Sequence, residues 1–216
     1  VLFCGCGEDD PGDVCPPFDA SYHPVVDPAS FVASVTNPLH PLVPGTTFVY
    51  AEGADRVEVA VLAETKTILG VTCTVVHDTH TAGGEIVEDT YDWFAQDAAG
   101  AVWYFGEDTK ELSGGVVTST EGSWEAGVNR AQPGIVIPAM PTIGATHRQE
   151  YLSCVAEDMG EVLSTSASTT VPLGSYTDCL QTRDFTPLDV ELNENKYYCP
   201  GVGMVLAIDL ATGGRE

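Results

Sequence analysis

The stretch that decides the fold class runs from residue 71 to residue 95 and reads VTCTVVHDTHTAGGEIVEDTYDWFA. Its side chains alternate between two faces. One face of the first run holds Val71, Cys73, Val75 and His77, and one face of the second run holds Val87, Asp89, Tyr91, Trp93 and Ala95. A period of two is typical of β-strands, and the Gly83-Gly84 pair between the runs is typical of a hairpin turn. The stretch therefore predicts two antiparallel strands joined by a tight turn.

The same pattern continues on both sides of this hairpin. Upstream, Val57, Val59 and Val61 alternate with other residues, and downstream a turn at residues 97–100 leads into a third aromatic-rich strand. No segment repeats apolar residues at helical spacing without Gly, Pro or β-branched interruptions. Residues 123–142 carry three prolines and are expected to form a loop. The fold class predicted is all-β, an antiparallel curved sheet or open barrel of about ten strands.

Two parts of the chain resemble each other in the order of their features. Leu69-Gly70 precedes Cys73 as Leu173-Gly174 precedes Cys179, and PGTT at 44–47 resembles IGAT at 143–146. A repeat of this length indicates duplication of a β-meander. We predict one β domain over residues 37–216, with two related halves at about 40–122 and 140–210 joined by the proline-rich bridge.

Composition limits the classes of partner. The 216 residues include 32 Asp and Glu but only 8 Lys and Arg, a formal net charge of −24. So acidic a chain lacks the basic face that nucleic acids or an anionic membrane surface would need. At 44% hydrophobic residues it is too apolar for a disordered acidic tail. Self-repulsion among the acids leads us to expect a dependence of stability on salt or calcium.

The first residues, VLFCGCGEDD, are similar to the end of a bacterial lipoprotein signal, with Cys6 as the residue that carries the lipid. On this interpretation residues 1–36 are the end of a truncated signal followed by an extended tether, and the only membrane attachment is this lipid anchor. The alternative is that the early cysteines are disulfide partners near a loose end. The predicted location is the bacterial cell envelope, as an outer-membrane lipoprotein or in the periplasm, or else extracellular.

Seven cysteines without a CxxC motif favour disulfides in an oxidising compartment. Cys73 and Cys179 occupy equivalent positions in the two halves, so we predict that they pair with each other. If Cys6 carries a lipid and Cys4 is removed with the signal, five cysteines remain, and Cys15 is the candidate for the unpaired one. The alternative is that Cys73 and Cys179 remain thiols buried as small apolar side chains.

Sequence motifs for metal binding or catalysis are weak. His77 and His80 are the most metal-like local pair, yet residues three apart on a strand point to opposite faces. Glu88 and Asp92 are weak candidates for a catalytic carboxylate pair, but four positions along a strand separate them by about 13 Å, so a partner must come from another strand. Nucleophile elbows, P-loops and dinucleotide loops are absent from the sequence. We expect no cofactor.

Aromatic residues are the remaining signal for a binding site. The residues that we expect to line a cavity are Tyr91, Trp93, Trp103, Phe105 and Tyr197. In a wide barrel they would contact a lipid or another hydrophobic ligand. The alternative is that they fill the interior.

Several longer fragments resemble an uncharacterised family of bacterial secreted proteins and lipoproteins. They are PGT at 44–46, EDTYDW at 88–93, WYFGED at 103–108, SWEAG at 123–127, PGI at 133–135, RQEY at 148–151, and YY at 197–198 followed by PGVG at 200–203. The resemblance implies a location in or beyond the envelope and no assigned activity. The general build is also similar to the open β-barrels of periplasmic lipoprotein carriers. Cys154 and Cys199 depart from the family pattern, which favours a disulfide between them.

Three functions follow as alternatives. The first is a non-enzymatic envelope or secreted barrel that binds a small hydrophobic molecule or a partner protein in an aromatic cavity without convergent titratable groups. The second is a glycosidase-like hydrolase that uses carboxylates around Glu88 and Asp92. The third is a structural or adhesion module with a filled interior.

Overall fold

A computed structural model describes residues 15–215, and its regular structure is almost entirely antiparallel β. The strands are β1 (Thr47–Glu52), β2 (Asp55–Ile68), β3 (Val71–Ala82), β4 (Glu85–Gln96), β5 (Val102–Ser113), β6 (Val116–Ser119), β7 (Trp124–Glu125), β8 (Gln132–Ile137), β9 (Thr146–Arg148), β10 (Glu150–Tyr151), β11 (Met159–Val171), β12 (Gly174–Phe185), β13 (Asn193–Cys199) and β14 (Gly203–Asp209). The only helix in this part of the chain is a three-residue 3-10 turn, Pro28–Ser30. The all-β prediction is confirmed.

The strands form two sheets, where we expected a single continuous one. The first has the order β1-β2-β3-β4-β5-β8-β10, with β6 and β7 also paired to β5, and the second has the order β14-β13-β12-β11-β9. The predicted hairpin is β3–β4, which places Val75 opposite Trp93. The sheets approach each other where β9 and β10 follow in the chain. There a Cβ on Gly134 would collide with the backbone of Gln149.

At the other side of the barrel, the outer strands β1 and β14 are joined through a side chain. The hydroxyl of Tyr50 donates a hydrogen bond to the carbonyl oxygen of Met204, at 3.1 Å. Between these two junctions the sheets share one hydrophobic core, with Val61, Val76 and Phe94 from the first sheet and Val162 and Leu180 from the second. The result is an open barrel with a common interior.

The two meanders β2–β5 and β11–β14 begin with the same turn. The amide of Gly45 donates to the carbonyl oxygen of Val61 at 2.8 Å, and the amide of Gly144 donates to that of Val162 at 2.8 Å. Both glycines have positive φ angles, +89° and +81°. These turns coincide with the matched sequences at 44–47 and 143–146, while duplication itself stays a prediction.

The proline-rich bridge differs from the loop that we expected. Residues 132–137 form β8, an interior strand between β5 and β10. Proline is tolerated because β10 is only two residues long and pairs Glu150 with Pro133 and Tyr151 with Gln132, so few donors are needed on that side.

The segment before β1 lies against the barrel from residue 15 onward and does not extend away as a tether. Val35 and Leu42 are 1% and 3% exposed. The ring of Phe31 packs edge-on against Trp103 and Phe105 at 5.7 and 5.6 Å between ring centroids. Cys6 and the predicted signal end lie outside the described residues.

Both predicted disulfides are wrong. Cys15 pairs with Cys154 and Cys179 pairs with Cys199, while Cys73 is a buried free thiol. Cys179 and Cys199 lie on the adjacent strands β12 and β13, with Cα atoms 4.2 Å apart, whereas Cys73 lies in the other sheet. Two disulfides indicate an oxidising compartment outside the cytoplasm. Within residues 15–215 no helix is long and apolar enough to cross a membrane.

Candidate functional site

A cavity of about 160 Å³ lies in the barrel interior, and both sheets contribute to its wall. One part of the wall is apolar. Its main apolar side chains are Leu42, Phe48, Val57, Val59, Val76, Phe94, Val136, Met204 and Ala207. The remaining part is polar and mostly acidic, so the cavity has two chemically different sides.

The acidic side consists of seven carboxyl groups, which we call the carboxyl belt. Its members are Asp78, Asp92, Glu107, Glu150, Asp158, Asp184 and Glu194. Six of them come from six different strands, and Asp158 immediately precedes β11. The only lysine or arginine that lines the cavity, among the residues described, is Lys196. Among the described residues, one lysine therefore faces seven carboxyl groups.

Strand alternation directs part of the belt inward. On β4, Thr90, Asp92 and Phe94 are 0%, 1% and 8% exposed and share one face. Asp92 is the cross-strand partner of Glu107 on β5, which places both side chains on the same side of the sheet.

A bulge in β5 lets Tyr104 and Glu107 both face the cavity although they are three positions apart. The register between β4 and β5 shifts between Asp92 and Phe94, so that two residues on β5 oppose Trp93. Gly106 lies in this bulge with φ +135°. A Cβ at this position would collide with the carbonyl oxygen of Trp124 and lie 2.9 Å from Cα of Glu125.

Asp92 is held by a short hydrogen bond inside the barrel. The hydroxyl of Tyr104 donates to Oδ1 of Asp92 at 2.6 Å. Burial raises the pKa of Asp92 to about 6, although the Tyr104 hydrogen bond works in the opposite direction. Burial and the Asp92 charge together raise the pKa of Tyr104 well above its ordinary value. Tyr104 therefore remains a proton donor.

Glu107 and Glu150 form a second buried acidic region. Nε1 of Trp124 donates to Oε2 of Glu150 at 2.9 Å. Burial, and then the charge of the nearby carboxylates, raises the pKa of Glu107 and of Glu150 well above the usual range. Among residues 15–215, no donor contacts the carboxyl group of Glu107. Burial also raises the pKa of Asp158, to about 6.

Lys196 neutralises only one end of the belt. Its Nζ lies 3.4 Å from Oδ2 of Asp184 and 3.3 Å from Oε2 of Glu194. Asp184 also accepts hydrogen bonds from Gln149 at 3.0 Å and from Thr182 at 2.7 Å. Burial would lower the pKa of Lys196, but the charges of Glu194 and Asp184 outweigh it, so the pKa is raised.

Tyr198 is a buried tyrosine in the wall of the cavity. It is 4% exposed, and no described residue forms a hydrogen bond with its hydroxyl. Its ring packs against His40 at 6.1 Å. Burial lowers the pKa of His40 to about 4, so this imidazole is neutral near pH 7. Nε2 of His40 also has no hydrogen-bond partner in the part of the chain described.

The five aromatic residues that we expected in the cavity lie outside it. Their neighbours Phe94, Tyr104 and Tyr198 line it instead. The expected residues make other contacts: Trp93 carries Lys66 Nζ at 3.2 Å from its ring centroid, Tyr91 stacks on His77, Trp103 and Phe105 pack against Phe31, and Tyr197 joins a separate small core.

Of the two weak catalytic candidates, Asp92 lines the cavity and Glu88 does not. Asp92 is a member of the carboxyl belt, and its cross-strand partner Glu107 supplies the second carboxylate that had to come from another strand. Glu88 does not line the cavity. It accepts a hydrogen bond from Thr90 at 2.9 Å, lies opposite Glu111, and has a pKa raised by burial.

His77 and His80 are engaged separately. Nε2 of His77 lies 3.0 Å from Oδ1 of Asp89, and its ring stacks on Tyr91 at 4.4 Å. His80 is the cross-strand partner of Glu88. Across residues 15–215, no group of three or more His, Cys, Asp or Glu side chains is arranged to hold a metal ion.

Sequence reasoning missed the acids after residue 100 together with Lys196 and Tyr198. Strand alternation would have placed Lys196 and Tyr198 on one face, but nothing in the pattern marks that face as the concave one. No family model, curated protein or solved structure matches this chain.

Proposed function

We propose that this chain is a non-enzymatic binding protein that works outside the cytoplasm and holds a small molecule in the interior of its barrel. The observation that carries the proposal is the cavity of about 160 Å³ between the two sheets, with an apolar side and an acidic side. Binding sites are commonly concave, mostly apolar, and equipped with a few polar groups that orient the ligand.

The size of the cavity limits the ligand. An apolar cavity of about 150 Å³ in another protein holds benzene. The space here therefore suits a molecule of about that bulk rather than the acyl chain of a lipid. An apolar body would contact the side formed by Phe48, Val57 and Phe94, and a polar group would face the carboxyl belt.

The location within the envelope is part of the same proposal. The two disulfides support an oxidising compartment. Anchoring through a lipid on Cys6, secretion, and membership of the uncharacterised secreted family are proposed on the sequence resemblance alone. Mass spectrometry of the protein from its native host would detect the added mass of an acylated cysteine.

Native mass spectrometry with toluene tests the binding function. Ala207→Leu would fill the cavity from β14, and Ala51→Leu on exposed β1 is the matched control. We expect toluene to bind wild type and Ala51→Leu equally, and Ala207→Leu at least tenfold more weakly, with unchanged circular dichroism. Equal binding to a folded Ala207→Leu variant, or no binding to wild type, would overturn the proposal.

A second candidate function is a carboxylate-dependent hydrolase, which the pairing of Asp92 with Glu107 favours. Directly opposite residues have Cβ atoms about 4.5–5.5 Å apart, and catalytic carboxylates of glycosidases are about 5–10 Å apart. With a pKa of about 6, Asp92 would be suited to proton donation. Hydrolysis of aryl glycosides that disappears in Asp92→Asn but persists in the exposed Asp108→Asn would support it, and inactive wild type would reject it.

A further inference from the structure

We propose that the carboxyl belt binds the ammonium group of a small primary amine whose apolar body lies against the opposite wall of the cavity. This inference rests on the proposed binding function and specifies its ligand class. It concerns the part of the belt around Asp92, Glu107 and Glu150, whereas Lys196 pairs with Asp184 and Glu194 and its charge also acts on Asp158.

The first argument is charge. Lys196 lies at salt-bridge distance from Asp184 and Glu194. Within residues 15–215 no lysine, arginine or histidine lies within ion-pair distance of Asp92, Glu107, Glu150 or Asp158. Burying an ionised carboxylate without an opposite charge beside it costs free energy, and either a bound proton or a nearby cation reduces that cost. This part of the cavity therefore favours a positively charged guest.

The second argument is independent of the acids. Nε2 of His40, in the wall of the same cavity, is buried and has no hydrogen-bond partner among the described residues. The neighbouring Tyr198 is 4% exposed, and none of the described residues hydrogen-bonds to its hydroxyl. Buried polar groups nearly always have partners, so these two side chains favour a guest that carries hydrogen-bonding groups. Glu107 is likewise without a donor. A primary ammonium has three N–H donors and can satisfy several such acceptors at once.

The shape and chemistry of the cavity narrow the class of cation. Among the described residues no set of three His, Cys, Asp or Glu side chains is arranged for a metal ion. An inorganic cation would make no apolar contact with the wall that contains Phe48, Val76 and Phe94. An amine with a compact hydrocarbon or aromatic body covers that wall and brings its charge to the belt.

Binding should release a proton. Near neutral pH the empty belt keeps part of its protons, because burial raises the pKa of Asp92 and Asp158 to about 6 and raises the pKa of Glu150 well above its usual range. When R–NH₃⁺ enters, the favourable interaction with a carboxylate lowers its pKa, and a proton leaves to solvent. Only the protons that the belt holds before binding can leave, so the number released equals the fall in its protonation and partly offsets the charge that the ammonium brings.

Isothermal titration calorimetry of the intact protein at pH 6.5 tests this inference with benzylamine, benzyl alcohol and toluene as probes. We expect benzylamine to bind at least tenfold more tightly than benzyl alcohol. Titrations in two buffers with different ionisation enthalpies should give different observed heats, in the direction of proton release. Equal heats would overturn the proton exchange.

Three variants assign the effect to residues. Glu107→Gln should weaken benzylamine binding at least tenfold and Tyr198→Phe about fivefold, while toluene binding to both stays unchanged. Asp108→Asn, on the exposed face next to Glu107, makes the same change from carboxyl to amide and should bind like wild type. If a variant loses toluene binding as well, its cavity is damaged. Glu107→Asp, checked for folding by circular dichroism, then tests the carboxyl group itself. A folded Glu107→Asp that does not prefer benzylamine overturns the proposal.

The outcomes distinguish the two proposals. If benzyl alcohol and toluene bind as tightly as benzylamine, the amine inference fails and the binding function stands. If none of the three probes binds, both fail.

Discussion

Tyr104 and Asp92 form a hydrogen bond of 2.6 Å between adjacent strands, in a position where both side chains are buried. Tyr104 limits the rise of the pKa of Asp92 but does not cancel it, because burial is the larger effect. The pair therefore keeps a protonatable acid inside the barrel near neutral pH. Several consequences of this arrangement and of its neighbours can be measured.

The first prediction concerns stability against pH. Asp92 releases its proton at about pH 3.8 in an unfolded chain and at about pH 6 in the folded one. The folded state therefore binds more protons between these values, and its contribution to stability is complete below about pH 4 and is lost as the pH rises through 6. The free energy of unfolding, measured by guanidinium titration, should be larger at pH 5 than at pH 8.

Asp92→Asn assigns this effect to one residue. An amide can still accept from Tyr104 but does not ionise, so at pH 8 the variant should be more stable than wild type by up to about 3 kcal/mol. At pH 4 the two should be nearly equal. Asp108→Asn, which removes an exposed charge, should change stability by less than about 0.5 kcal/mol at either pH. A pH-independent effect of Asp92→Asn would contradict the buried, raised-pKa assignment.

The second prediction concerns the bulge in β5. Gly106→Ala places a Cβ against the backbone at Trp124 and Glu125, neither of which can move like a side chain. We expect a loss of at least about 3 kcal/mol in the free energy of unfolding. Gly84→Ala, in the β3–β4 turn, also has positive φ but open space around it, and should cost about 1–2 kcal/mol. Similar losses for both variants would argue against the close approach of β7 to β5.

The third prediction concerns the two disulfides. Cys15–Cys154 closes a separation of 139 residues and Cys179–Cys199 closes one of 20. The chain-entropy treatment gives about 5 and about 3 kcal/mol for loops of these sizes. Replacing the first pair with serines should therefore destabilise the protein more than replacing the second. Peptide mapping of the oxidised protein checks the connectivity itself, and a Cys73-containing bridge would refute it.

The fourth prediction concerns the remaining thiol. Cys73 is 0% exposed, and burial raises its pKa to about 12, so little thiolate forms at pH 8. Iodoacetamide should leave Cys73 unmodified in the native oxidised protein and should alkylate it in guanidinium. Rapid labelling under native conditions would mean that β3 opens or is not packed as described.

Period-two alternation was enough to predict the all-β fold and the β3–β4 hairpin, because Gly83-Gly84 and the flanking runs are local signals. The same alternation could not say which face is concave. Trp93 and Phe94 point to opposite sides of β4, yet they are 7% and 8% exposed. Lys66 lies over the ring of Trp93 on one side, and Phe94 lines the cavity on the other. The aromatic residues were therefore assigned to the wrong face.

The bulge at Gly106 and the cysteine pairing depend on contacts distant in sequence. Alternation from Trp103 predicts that Phe105 and Glu107 share a face, but the bulge turns Glu107 to the side of Tyr104. Disulfide connectivity likewise cannot be deduced from spacing. The segment around Cys15 was expected to extend away from the barrel. Instead, the amide of Asp19 in this segment donates to the hydroxyl of Tyr151, and Cys15 pairs with Cys154.

The carboxyl belt has a cost that a purely architectural barrel would avoid. Acids enclosed among strands weaken the molecule at neutral pH, and aliphatic or amide side chains at those sites would give a sturdier scaffold. Replacing them one by one offers a way to retune which guests the barrel accepts while its strands keep their order. The strand framework would then determine which replacements the fold accepts, and the acids would determine which guests the barrel binds.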